Sequence, residues 1–178
     1  MRDFKPSWFI AGGRAIDLFL EKETRSHQDS EVAIFRQDQI ALHDYFDSWL
    51  LQKIVNGERV VWYWDEWLKL PAHEIHCFNE TAQPPRIEFL LNESNETEWL
   101  YRRNQKVRRS LAKVQLESSA GVKLLCPEIV LLYKSKNPQA KDEQDFQAVV
   151  KYLDAEREEW LKYAIKVCNS KHRWLRSF

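Results

Sequence analysis

The pattern of apolar and polar positions changes character along this chain. Up to about Leu91 the apolar residues come in short runs or alternate with polar ones, as in strands. Trp8 to Ala11 reads as a short buried strand, and Arg14 to Leu20 as a helix with Ile16, Phe19 and Leu20 on one side. Glu31 to Phe35 is a second strand. Asp38 to Leu51 carries Ile40, Leu42, Tyr45, Phe46, Trp49 and Leu50, which predicts a helix with a broad apolar face. Arg59 to Trp64, Glu74 to Phe78 and Arg86 to Leu91 follow as strands, the last introduced by Pro84–Pro85. Beyond about Trp99 the spacing is mostly helical, apart from a strand at Val122 to Leu125. Pro127 suits the first turn of a helix reaching Lys134, with Glu128 near its positive end. Phe146, Val149, Val150 and Leu153 fall at helical spacing within Lys141 to Leu153, and Arg157 to Val167 is a final amphipathic stretch. The expected organisation is a strand-rich part over residues 1–95 and a mostly helical part over 96–178.

Composition narrows this picture. A chain of 178 residues, 44% hydrophobic and with eight Trp, can bury a substantial core in one compact domain or two small lobes. The formal net charge is zero, so bulk charge favours neither nucleic acid nor a membrane surface. No apolar run has the length of a spanning helix, and the start MRDFKPSWFIAGG lacks the long apolar stretch of a signal peptide. The expected location is the cytoplasm. Cys77, Cys126 and Cys168 are odd in number and far apart, which suits reduced, structural thiols.

Three features carry candidate chemistry. Only four glycines occur, and Gly12 and Gly13 are adjacent, between a strand and a helix. Such a turn lets backbone come close to a ligand, and the helix start offers free N–H groups to an anion. By itself such a pair is more often a plain turn before a helix. Asp29 and Glu31 flank Ser30 at the mouth of the second strand. Strand alternation points both carboxylates to one face, ~7 Å apart. Carboxylates so placed repel and need water, a cationic side chain or a metal ion, and magnesium suits a few carboxylates plus water and phosphate oxygens. Glu88 in RIEFLLNE alternates with Ile87, Phe89 and Leu91, so it faces away from their apolar side. If its strand neighbours that of Glu31, three carboxylates converge.

Taken in order, GGRAIDLFL and TRSHQDSEVAIFR resemble the glycine-pair and Asp-x-Asp/Glu signature of the polymerase-beta-like nucleotidyltransferase superfamily. Within it they are most similar to the aminoglycoside 2''-adenylyltransferase and lincosamide nucleotidyltransferase group. FRQDQ, RIEFLLNE, WLYRRN, PEIVLLYKSK and KDEQDF extend the resemblance to about Leu153. Three positions depart from the pattern. Arg14 stands where a bulky residue is common beside the glycines, Ser30 replaces an apolar residue, and Glu31 replaces the commoner second Asp.

The resemblance implies an α/β (α+β) fold, a mixed sheet with flanking helices plus a mostly helical C-terminal lobe. It implies that Gly12 and Gly13 bring N–H groups to a nucleoside triphosphate, and that Asp29 and Glu31 hold Mg2+, two ions in all. Glu88 is then a third ligand or the base for the acceptor hydroxyl. Arg25 and Lys134 are candidates to neutralise phosphate oxygens, and His27 to orient a carboxylate or meet the nucleotide. Asp142 and Asp145 share a helix face and are candidates to hold a cationic acceptor, although acids near a helix start are favourable without any function. Arg102, Arg103, Lys106, Arg108 and Arg109 form a basic run that reads as a solvated face. Trp62, Trp64 and Trp67 are candidates either for an acceptor cleft or for core. The implied activity is transfer of a nucleoside monophosphate, AMP from ATP in the first instance, to a hydroxyl of a small molecule such as an aminoglycoside- or lincosamide-like antibiotic. Alternatives are a protein or tRNA acceptor, or a nucleotide-binding protein without turnover. The sequence leaves the oligomeric state open.

Overall fold

The computed structural model describes residues 1, 3–27 and 30–178. Its strands are β1 (Trp8–Ile10), β2 (Glu31–Phe35), β3 (Leu50–Val55), β4 (Glu58–Val61), β5 (Glu74–Phe78), β6 (Arg86–Ser94), β7 (Glu98–Leu100), β8 (Arg108–Ser110), β9 (Gln115–Glu117) and β10 (Lys123–Leu125). Its helices are α1 (Gly12–Leu20), α2 (Ala41–Tyr45), α3 (Pro127–Lys134), α4 (Ala140–Val149) and α5 (Ala155–Cys168).

Among the described residues the strands build one mixed sheet in the order β4-β3-β5-β6-β2-β1-β10-β9, and β7 pairs with both β6 and β8. The β2–β6 and β1–β10 pairs are parallel. Their neighbours in the main sheet are antiparallel.

The central strand β2 is covered on both faces, which explains its unbroken apolar run. Val32 and Ile34 enter a core with Leu42, Phe46, Ile75 and Phe89. Ala33 points the other way, into a larger core shared by Ile16, Leu124, Ile129, Phe146 and Trp174. That second core draws on α1, α3, α4 and α5, so the helical half packs directly onto the sheet. Each large side chain removed from water here contributes roughly 1.5–3 kcal/mol.

The architecture is the mixed α/β sheet with a helical C-terminal part that the sequence implies. Local differences have physical reasons. The helix expected over residues 38–51 is confined to α2, and Leu50 and Leu51 begin β3. The strand expected at Val122 to Leu125 is β10, and residues after 96 also contribute β7, β8 and β9, each of three residues, too short for a two-residue period to show. The basic run is not a uniform solvated face. Arg109 is buried and ion-paired to the fully buried Glu128 at 2.6 Å, under the ring of Trp160. Burial raises the Glu128 carboxyl above its ordinary range, against the pull of Arg109. Trp62 belongs to the first core, whereas Trp64 and Trp67 are exposed. No helix among the described residues is long and apolar enough to cross a membrane.

Candidate functional site

The site begins where β1 turns into α1. Gly12 has φ +58°, a conformation that a side chain disfavours. A Cβ there would also lie 1.5 Å from Oε2 of Glu31. A Cβ on Gly13 would lie 2.3 Å from Nη2 of Arg25 and 2.4 Å from Cε1 of His27. The glycine pair is thus the point where Glu31, Arg25 and His27 approach the backbone. Among the described residues no side chain caps α1 at Ala11, and its first turn carries no acidic residue. The leading N–H groups of a helix have no partner within the helix itself, which makes this turn a candidate place for an anion.

β2 brings Glu31 to this turn. The parallel pairing of β2 with β6 sets Glu31 opposite Glu88, and the antiparallel pairing of β6 with β5 sets Glu88 opposite His76. The three side chains form a row across adjacent strands on one face of the sheet. Glu74 lies on the same face of β5, two residues from His76, and accepts from or donates to its Nε2 at 2.6 Å according to the protons present. Nδ1 of His76 lies 3.5 Å from Oε1 of Glu88. Asp29, the first carboxylate of the sequence motif, lies outside the described residues.

The cationic side of the site is built on α3 and α4. Lys134, at the end of α3, contacts Asp142 at 2.8 Å and Asp145 at 2.9 Å. Burial opposes its charge, but the hydrogen bonds to both aspartates prevail and raise its pKa above the ordinary lysine value. Arg25 donates from Nε and Nη2 to the two oxygens of Asp145, each at 3.2 Å. Asp145 is fully buried, and Asp142 also caps α4 by accepting from the Gln139 N–H. In this arrangement the two aspartates hold Arg25 and Lys134 in place. His27 contacts Asp17 at 2.6 Å, and Asp17 accepts two further bonds from Thr24.

Glu31, Glu74, Lys134 and Gly12 line one cavity of about 270 Å3, together with Arg102 and Arg103. The guanidinium groups of both arginines lie over Tyr133, at 5.5 and 5.4 Å from its ring centre. Trp62, Trp64 and Trp67 do not line this cavity. Sequence reasoning missed Glu74 and His76. Their signal was present, since Glu74-x-His76 in an alternating strand puts both on the face that Glu88 uses.

No protein-family model and no curated protein matches the chain. Its likeness is to solved structures. The antibiotic-resistance factor ANT(2'')-Ia in solution superposes with a TM-score of 0.57 at 14% identity, over 93% of this chain and 84% of that one. ANT(2'')-Ia in complex with adenylyl-2''-tobramycin gives 0.57 at 15% identity, over 92% and 88%. The lincomycin-bound lincosamide antibiotic adenylyltransferase LnuA gives 0.53 at 13% identity, over 80% and 84%. The chain has the polymerase-beta-like nucleotidyltransferase fold. Within that fold, its structural likeness includes these antibiotic-modifying proteins, at low sequence identity.

Proposed function

We propose that this protein is a metal-dependent nucleotidyltransferase that moves a nucleoside monophosphate, AMP from ATP in the first instance, to a hydroxyl of a small molecule. The observation that carries the reading is the paired position of Glu31 and Glu88 beside the uncapped start of α1. An anion site and a carboxylate pair are thereby adjacent, as phosphoryl transfer requires.

The residues fit magnesium. Glu31 and Glu88 offer hard oxygen donors from neighbouring strands, and Glu31 lines an open cavity with room for water and phosphate. Asp29 and Glu31 would hold the ions, with Glu88 as a third ligand or as the base. Bound there, magnesium would supply positive charge against the oxygens that gain negative charge in the reaction.

The chain's own residues account for the rest. The N–H groups at Gly12 and Gly13 receive triphosphate oxygens. Lys134 lines the cavity and Arg25 lies against Gly13, both held by Asp145, so they would neutralise phosphate without first having to be ordered. As the base, Glu88 accepts the proton of the acceptor hydroxyl while that hydroxyl's oxygen bonds to the α-phosphorus. The bond from that phosphorus to the bridging oxygen breaks, and pyrophosphate leaves. The adenylyl group and the small acceptor are suggested by the adenylyl-2''-tobramycin and lincomycin bound to the similar proteins. Arg102 and Arg103 on the cavity wall favour an acceptor less cationic than an aminoglycoside.

The test is release of pyrophosphate with magnesium, each nucleoside triphosphate and a panel of hydroxylated acceptors. Acceptor-dependent release that disappears in Asp29→Asn supports the reading. No release with any combination, or release unchanged in that variant, overturns it.

A further inference from the structure

Beside the oxygen donors of the proposed nucleotide site stands an imidazole that this function does not use. His76 is on β5, and its side chain is only 6% exposed. Its Nε2 is engaged by Glu74 at 2.6 Å. Its Nδ1 is buried and has no hydrogen-bond partner among the described residues. That nitrogen faces the Glu88 carboxylate at 3.5 Å.

This spacing is wrong for a charge-assisted hydrogen bond, which is about 2.7–2.9 Å long. If Nε2 carries the proton and donates it to Glu74, then Nδ1 presents a lone pair to a carboxylate. Two acceptors facing each other in a buried place repel unless a cation lies between them. The distance does suit two ligands of one ion. Bonds of about 2.0–2.1 Å at tetrahedral angles set neighbouring ligand atoms about 3.3 Å apart. One ligand atom each from Glu74, His76 and Glu88 lies within 4.8 Å of the others. A carboxylate holding the far nitrogen of a metal-binding histidine is the usual outer support, since it fixes the tautomer and the ring plane.

We infer that Nδ1 of His76 and the Glu88 carboxylate form a binding site for a divalent transition metal of the zinc class, with Glu74 as the outer partner that orients the ring. Imidazole suits such ions far better than magnesium, which takes oxygen ligands and sheds water reluctantly. The site differs from the proposed magnesium site, which has oxygen ligands only, in the ion it selects. It shares Glu88 with that site, so an ion on His76 draws Glu88 away from the acceptor proton. The metal site itself does not depend on triphosphate being the substrate.

The experiment titrates zinc, without nucleotide and against a background of excess magnesium, into the full chain and into Asp29→Asn, His76→Gln, His76→Phe and Glu74→Gln. Calorimetry reads affinity, and circular dichroism checks that each variant folds. The expected result is one zinc ion bound by the wild type and by Asp29→Asn. Binding should be lost in both His76 variants and weakened about 10–100-fold in Glu74→Gln. In [15N]histidine-labelled wild type, one Nδ1 resonance should move on zinc addition, a readout that needs no variant. Zinc affinity unchanged without His76, or no shifted Nδ1 resonance, overturns the inference. Zinc binding lost in Asp29→Asn but kept in His76→Gln also overturns it, while leaving the nucleotidyltransferase reading intact. Zinc bound at His76 in a protein that releases no pyrophosphate under any condition upholds this inference and removes that reading instead.

Discussion

Glu31 and Glu88 occupy paired positions on the adjacent parallel strands β2 and β6, so the distance between them is fixed by the sheet rather than by loops. If Glu88 takes the acceptor proton, Glu88→Gln should keep nucleotide binding and lose roughly 10²–10⁴-fold in turnover. The loss should shrink as pH rises, because a more ionised hydroxyl needs the base less. If Glu88 is a magnesium ligand, added magnesium should restore part of the rate. Rate against pH and against magnesium for this one variant separates the roles, and wild-type rates throughout would remove Glu88 from the site.

Gly12 and Gly13 should differ in their tolerance of a methyl group. Gly12→Ala combines a positive φ with a Cβ 1.5 Å from the Glu31 carboxylate. It should cost about 1–3 kcal/mol of stability and displace Glu31, abolishing turnover. Gly13→Ala meets the far end of Arg25 and the ring of His27. Arg25 can withdraw only by leaving Asp145, so triphosphate affinity should fall with less loss of stability. Urea midpoints for the two variants check the order, and an equally stable Gly12→Ala would contradict the geometry.

Lys134 and Asp145 should separate binding from stability. Lys134→Ala leaves Asp145 paired with Arg25, so the fold should persist while triphosphate affinity falls about tenfold or more. Asp145→Ala leaves Arg25 and Lys134 without their shared, fully buried carboxylate and should cost about 3–5 kcal/mol. Calorimetric binding and thermal melting measure the two effects. Unchanged triphosphate affinity in Lys134→Ala would exclude it from the nucleotide site.

Asp17 supplies a pH-dependent contribution. Burial pushes its carboxyl up, but the side-chain and backbone hydrogen bonds from Thr24 and the contact with His27 together hold it below the ordinary value. A carboxylate depressed by folding stabilises the native state above its unfolded pKa. That stability is lost as pH falls through the folded value. Asp17→Asn should therefore melt lower than wild type at neutral pH, and the two melting curves should converge as pH falls below the usual carboxylate range. A difference that persists unchanged in acid would show that the charge is not what matters.

Much of this arrangement was legible in single residues. Pro127 and the helical spacing after it give α3, and the unbroken apolar run of β2 announces a strand covered on both faces. β4 was read within Arg59 to Trp64, but its hairpin partner β3 was hidden because Ile40 to Leu50 reads at helical spacing. Its signal was Asn56–Gly57, both at positive φ, the pair that tight hairpins favour. Glu88 could be assigned a face from alternation, but not a neighbour, because pairing β6 with β2 is a tertiary event. For the same reason the sequence places Asp142 and Asp145 on one helix face without showing that they contact Lys134 and Arg25. Charge partners distant in sequence leave no local trace.

The pairing of Ile10 with Leu124 has a consequence for how the protein is made. During synthesis β1 can join β2 early, yet its other edge stays open until β10 has emerged. A bare edge of this kind is a template for pairing with another chain. Contacts this remote in sequence also form slowly, because a long loop must close first. Ribosomes that stall shortly before Leu124 should hold a sticky intermediate, and chaperone demand should drop once β10 is free to seal the sheet.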